Sequence, residues 1–128
     1  MKTVAIVQAR MGSVRFPNKV MRPINDVPMI GLLLDRLARA SEVDEIVVAT
    51  SDNPRNEPLA RYVCARGHAV YRGSETDVLD RYYRAALEAE ADIVVRVTGD
   101  CPLIDPWVVD SVCARRRVAG VDYASNSL

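Results

Sequence analysis

Three cations stand in one short stretch, QARMGSVRFPNK from Gln8 to Lys19: Arg10, Arg15 and Lys19, with no acid among them. A guanidinium can grip anionic oxygens through two parallel N–H bonds, and an ammonium adds a point charge against the same group. The set therefore suits phosphate, and three cations suit a triphosphate better than a monophosphate. Solvated surface residues are the plainer alternative, since Arg and Lys are usually exposed. Yet a loop of like charges repels itself unless an anion arrives. The glycine patterns GxGxxG and GxxxxGK[ST] are both missing from the sequence, which argues against a dinucleotide-binding dehydrogenase and a P-loop NTPase. Phosphate would be held here by side chains.

Asp100 lies in VTGDCPLIDP, directly after an apolar run, with Gly99 before it and Pro102 after. A carboxylate there could hold Mg2+, which takes carboxylate oxygens together with substrate phosphates and keeps several waters. Asp105, next to Pro106, reads more simply as a helix cap. In YRGSETDVLDRYYRAA, Arg72, Gly73 and Ser74 could reach a nucleotide base through backbone groups, the hydroxyl and the guanidinium. The same residues could equally form a strand-to-helix turn in which Ser74 or Thr76 caps the next helix while Asp77 favours its dipole. His68, the single histidine, follows Gly67 and reads as a turn residue. Tyr82, Tyr83 and Trp107 read as packing residues, and Cys101, without a histidine near it in sequence, is a poor nucleophile candidate.

The elements that would position these groups are legible in the apolar pattern. Residues 3–9, 45–50, 69–72 and 92–97 read as strands; EIVVAT and DIVVRV are nearly continuous apolar runs, as expected of strands covered on both faces. Between them lie helix-length segments. Residues 28–41 carry Ile30, Leu33, Leu34, Leu37 and Ala38 in a stripe, with Pro28 suited to a first helical position. Asn53-Pro54 opens a second helix that Gly67 can close, a third runs over about residues 77–89, and Asp105-Pro106 opens a fourth. This order predicts an α/β fold, a doubly wound and mainly parallel sheet, in which ligands sit beyond the carboxyl ends of the strands. The three polar clusters all follow strand ends. GVDYASNSL resembles a fifth strand entering a loop.

At 128 residues, 49% hydrophobic and 27% charged, the chain has the make-up of one globular domain, and no apolar run approaches the length of a membrane span. The apolar stretch behind Lys2 is interrupted at Gln8 and Arg10, too early for the core of a signal peptide. Cys64, Cys101 and Cys113 are odd in number and lack CxxC spacing, which fits a reducing, cytoplasmic setting. Net charge is zero, but residues 1–25 hold five cations and no acid. Charge concentrated in one loop points to a local anionic ligand and not to a nucleic-acid surface.

The residues in these clusters also carry a resemblance. VAIVQARMGSVRFPNKV resembles the opening of the cytidylyltransferases that activate sugar acids, whose first loop runs Ala-Arg-x-x-Ser-x-Arg-x-Pro-x-Lys. Ala9, Arg10, Ser13, Arg15, Pro17 and Lys19 match it, with Phe16 where Leu is usual and Asn18 where Gly is usual. The closer likeness is to the SpsF group of spore-coat polysaccharide biosynthesis, through QARMGS, VVATS, YRGSETDVLDRYY, VVRVTGDCPLIDP and DYASN in that order. The resemblance implies a Rossmann-like nucleotide-diphospho-sugar transferase (GT-A-like) fold and transfer of CMP from CTP to an acidic or other sugar, with Mg2+ present and pyrophosphate released. It implies that Arg10, Ser13, Arg15 and Lys19 face the triphosphate, that Ala9, Arg72 and Ser74 lie near base and ribose, and that Asp100 holds the metal; Arg10, Lys19 and Asp100 would be the catalytic set. Family members are about twice this long, so residues 1–128 would be the nucleotide-binding domain, without the sugar-binding and dimerisation part; a homodimer is among the expectations. A non-catalytic nucleotide-binding module, or an inactive fragment of such an enzyme, is the rival from another class. A nucleotide-sugar glycosyltransferase would expect an Asp-x-Asp triplet, which the sequence lacks.

Overall fold

In the computed structural model of the chain, residues 1–12, 19–99 and 102–125 are described. Strand β1 (Thr3–Gln8) enters a short 3-10 turn (Lys19–Met21) and a hairpin of β2 (Pro23–Ile24) and β3 (Val27–Pro28), followed by α1 (Met29–Leu37), β4 (Glu45–Ser51), a 3-10 turn (Pro54–Asn56), α2 (Glu57–Ala65), β5 (Ala69–Gly73), α3 (Val78–Glu88), β6 (Ile93–Thr98) and α4 (Pro106–Ala119). Four strands form one parallel sheet in the order β5-β4-β1-β6. The predicted doubly wound architecture is present.

Strand alternation divides the core. Ala5, Val7, Ala9, Ile46 and Val48 point to the face covered by Ile30, Leu33, Leu34 and Leu37 of α1, Leu59 and Val63 of α2 and Val109 of α4. Val4, Ile6, Val47 and Ala49 point to the other face, against Tyr82 and Ala85 of α3. Successive residues of a strand serve opposite faces, so β1 and β4 must be apolar throughout. The chain moves outward from β1 through β4 to β5, then returns across the sheet to β6 on the far side of β1. The switch point between β1 and β6 is where a crevice opens beyond the strand ends in such sheets.

Several sequence expectations need correction. The stripe of α1 ends at Leu37; Ala38 is the exposed C-cap, and Ala40 is the buried alanine. Pro28 precedes the helix, because it is paired with Pro23 in a hairpin whose Asn25 and Asp26 have φ of 51° and 69°. Two left-handed central residues form a tight turn that matches strand twist, and a hairpin of two residues a side carries too little pattern to be seen beforehand. DIVVRV is not covered on both faces. Among the described residues β6 is an edge strand, and Val94 is 40% exposed. Beside it β6, α4 and residues 122–125 line an open groove of about 840 Å3. Residues 121–125 form no strand. Tyr82 is buried as expected, but Tyr83 and Trp107 are exposed at 61% and 81%. No helix among the described residues is long and apolar enough to cross a membrane.

Candidate functional site

The carboxyl end of β1 lies against the carboxyl end of β6. Gln8 is in register with Thr98, and the Gly99 amide donates to the Gln8 carbonyl at 2.7 Å. A Cβ added to Gly99 would stand 2.7 Å from that oxygen and 2.8 Å from the Ala9 Cβ. Glycine is required here for space, since only backbone without a side chain can come so close. The loop after β1 and the loop after β6 therefore leave the sheet from touching points.

The described candidates at these strand ends are Ala9, Arg10 and Lys19. Ala9 is buried, 2% exposed, and its amide donates to the Ala49 carbonyl. Arg10 follows it and is exposed. Lys19 opens the 3-10 turn, whose Val20 is inserted into the core at 6% exposure and so anchors the far end of the cation loop. Ser13, Arg15, Asp100 and Cys101 lie outside the described residues.

Arg72 and Ser74 sit at the end of β5. Arg72 is committed to the protein: Nε donates to the Ser51 carbonyl at 3.3 Å, one Nη to the Asn53 carbonyl at 2.9 Å, and the other pairs with Glu57. This pairing, followed by that with Arg61, holds the Glu57 carboxyl below its ordinary range. Arg72 thus braces the loop after β4 against β5. The Ser74 hydroxyl accepts from the Asp77 amide at 3.1 Å, and the Asp77 carboxylate, which is the N-cap of α3, accepts from the Asp80 amide at 2.9 Å. Asp105 caps α4, accepting from the Trp107 amide at 2.8 Å. Gly67, with φ of 86°, closes α2 before His68.

Three supporting residues were not singled out from the sequence. Asn56, 1% exposed, accepts from the Met11 amide at 2.8 Å and donates to the Ser51 hydroxyl at 2.6 Å, tying the root of the cation loop to the start of α2. The Arg55 guanidinium lies over Gly12, where a Cβ would meet its Nη1 at 2.7 Å, and brings another cation to the loop. Arg36 donates to the Ile104 carbonyl at 2.7 Å, which fixes the segment between β6 and α4. An asparagine or arginine in a helix gives no periodic signal; only tertiary contact shows what it holds.

Arg10 thus follows the paired strand ends, Arg55 lies over Gly12, and Lys19 opens the turn at the far end of the cation loop. Such an arrangement can neutralise an extended polyanion and orient it by hydrogen bonds. The sequence profile of the cytidylyltransferase family matches residues 4–127. The chain belongs to the cytidylyltransferase family. It is 35% identical over 122 residues to the spore coat polysaccharide biosynthesis protein SpsF of Bacillus subtilis, covering 92% of this chain and 51% of that protein. A cytidylyltransferase structure from Leptospira borgpetersenii superposes with a TM-score of 0.85 at 38% identity, covering 89% of this chain and 48% of the other. The structure of CMP:2-keto-3-deoxy-manno-octonic acid synthetase complexed with CTP superposes with a TM-score of 0.82 at 30% identity, covering 94% and 49%. The fold is the Rossmann-like one of these nucleotidyltransferases. The chain spans about half the length of the relatives it matches.

Proposed function

We propose that this chain is the nucleotide-binding part of a cytidylyltransferase that transfers CMP from CTP to a sugar, with an acidic sugar as the acceptor class, in the making of a surface polysaccharide. The observation that carries the reading is the close approach of Gly99 to Gln8 and Ala9, which sets the point where the chain leaves β1 beside the point where it leaves β6 in a chain of this family. A sugar hydroxyl oxygen would attack the α-phosphorus, the bond from that phosphorus to the bridging oxygen would break, and pyrophosphate would leave with the hydroxyl proton passing to solvent or to pyrophosphate. Arg10, Arg15 and Lys19 would neutralise the triphosphate and the departing pyrophosphate. Ser13 would add a hydroxyl donor to the same loop, and the backbone of Ala9 with the turn at Ser74, braced by Arg72, would lie near base and ribose. Catalysis would come from positioning and charge neutralisation, without a covalent enzyme intermediate.

Asp100 would hold Mg2+. A single carboxylate suits an ion that takes its other ligands from phosphate oxygens and water. The ion would supply charge neutralisation at the phosphates. The sugar side and a dimer contact would belong to chain equivalent to the half of the relatives not spanned here, and the working compartment would be the cytoplasm. The rival reading is a module of this family that binds nucleotide without turnover.

Thermal shift with a nucleotide panel, with and without Mg2+, tests the base and the metal together, because a ligand held only by the native state raises stability by RT ln(1 + [L]/Kd). CTP with Mg2+ should give the largest shift. A larger shift with another nucleotide would overturn the base assignment. Release of pyrophosphate with candidate sugars separates the enzyme from the binding module.

A further inference from the structure

A buried guanidinium stands behind the turn at Ser74. Arg81, on α3, is 1% exposed. Its Nη1 donates to the Ser74 carbonyl at 2.6 Å and to the Glu75 carbonyl at 3.0 Å, while its Nε is buried without an acceptor. No carboxylate among the described residues is bonded to it. Buried charges are ordinarily paired, because leaving water is costly and only a partner offsets the loss. The adjacent Tyr82 directs its hydroxyl at the Val97 carbonyl, 3.4 Å away, which places this end of α3 at the carboxyl ends of β6 and its neighbour β1. Arg10 continues from β1 at the same place. Burial first, and then the charge of Arg10, pull the Arg81 pKa below that of an ordinary guanidinium, with Glu75 and Asp77 on the turn opposing more weakly. Two cations therefore share one rim, and among the described residues no acid is bonded to the inner one.

We propose that Arg81 is a positioning residue of the anion site: its buried charge is balanced by the phosphate oxygens of a bound ligand shared with Arg10, and its two carbonyl contacts set the turn at Ser74 and Glu75 that borders them. The proposal rests on the reading of this rim as a phosphate site and not on which base is read. It accounts for a cation kept where an apolar side chain would pack at less electrostatic cost.

Inorganic pyrophosphate is the probe, titrated by calorimetry at fixed ionic strength into the wild-type chain, Arg81→Met and Arg81→Lys, with circular dichroism as the check of folding. Loss of the charge should weaken binding at least about tenfold in Arg81→Met, whereas Arg81→Lys, which keeps it, should stay within about threefold of wild type. A packing role alone would lower both melting temperatures and leave pyrophosphate affinity within about threefold; that result overturns the proposal, as does a wild-type chain that fails to bind pyrophosphate. Should Arg81→Met not fold, the wild type decides: the Arg81 Nε–H resonance should shift and exchange more slowly at saturating pyrophosphate, and an unmoved resonance contradicts the assignment. Arg81-dependent pyrophosphate binding with no preference for CTP would sink the cytidine reading and leave this one standing. CTP binding indifferent to Arg81→Met would do the reverse.

Discussion

The Gly99 amide donates to the Gln8 carbonyl across the junction of β6 and β1, and the space for a side chain on Gly99 is taken by that same oxygen and by Ala9. This contact couples the two loops to which substrate chemistry is assigned. Gly99→Ala forces a methyl into backbone and should destabilise the chain by about 1–3 kcal/mol, as overpacking does. It should also weaken Mg·CTP binding, because the loops are pushed apart. Chemical denaturation and calorimetry read the two effects, and a neutral outcome in both would remove the contact from the account.

Asn56 is the second structural tie. Asn56→Ala strands the Met11 amide and takes a partner from the Ser51 hydroxyl, at a cost of about 1–3 kcal/mol for unmet buried polar groups. Because Met11 roots the cation loop, nucleotide affinity should fall further than the melting temperature alone explains. Normal affinity at temperatures well below melting would contradict that link.

Lys19→Ala and Asp100→Ala should each weaken Mg·CTP binding while the fold persists, since the buried Val20 beside Lys19 supplies the core contact of that turn. Removing one charged contact of this kind costs about 1.5–3 kcal/mol. Unchanged affinity in either variant would take that residue out of the site. Cys101→Ser should bind as wild type does.

The docking of α4 should depend on acid pH. Asp110 accepts from the Ser41 amide at 3.0 Å, the Ser41 hydroxyl at 3.1 Å and the Glu42 amide at 2.8 Å. Burial opposes its ionisation, yet these three bonds hold the carboxyl below the 3.8 of an unperturbed aspartate. The unfolded chain then binds the proton more readily, so the stabilisation is complete above that ordinary value and is lost as pH falls through the lower folded one. Asp110→Asn should flatten the acid limb of a stability-against-pH curve; an unaltered limb would show that other carboxylates govern it.

Much of this was legible beforehand, and the reasons differ by element. Apolar runs in β1 and β4 are long enough to declare buried parallel strands, and Asp105, Asp77 and Gly67 sit where helix-end chemistry puts them. The edge position of β6 among the described residues was not legible: VVRV has the composition of a covered strand, and only the order of pairing shows on which side no described strand lies. The roles of Arg72, Asn56 and Arg81 were hidden for a related reason. Arg72 looked available to a base and proved to be bonded to Ser51, Asn53 and Glu57, while nothing in the sequence separates the buried Arg81 from the exposed Arg84 of the same helix. Periodicity reports which face of a helix is apolar, but it does not report which polar side chain crosses to another loop.

The most direct test is a titration of Mg·CTP into the 15N-labelled chain, followed by backbone amide shifts. The account predicts saturable changes concentrated at Ala9, Arg10, Gly12, Gly73, Ser74 and Gly99. Shifts confined to the groove beside Val94, Leu103 and Val108, or no shifts at saturating CTP, would contradict it.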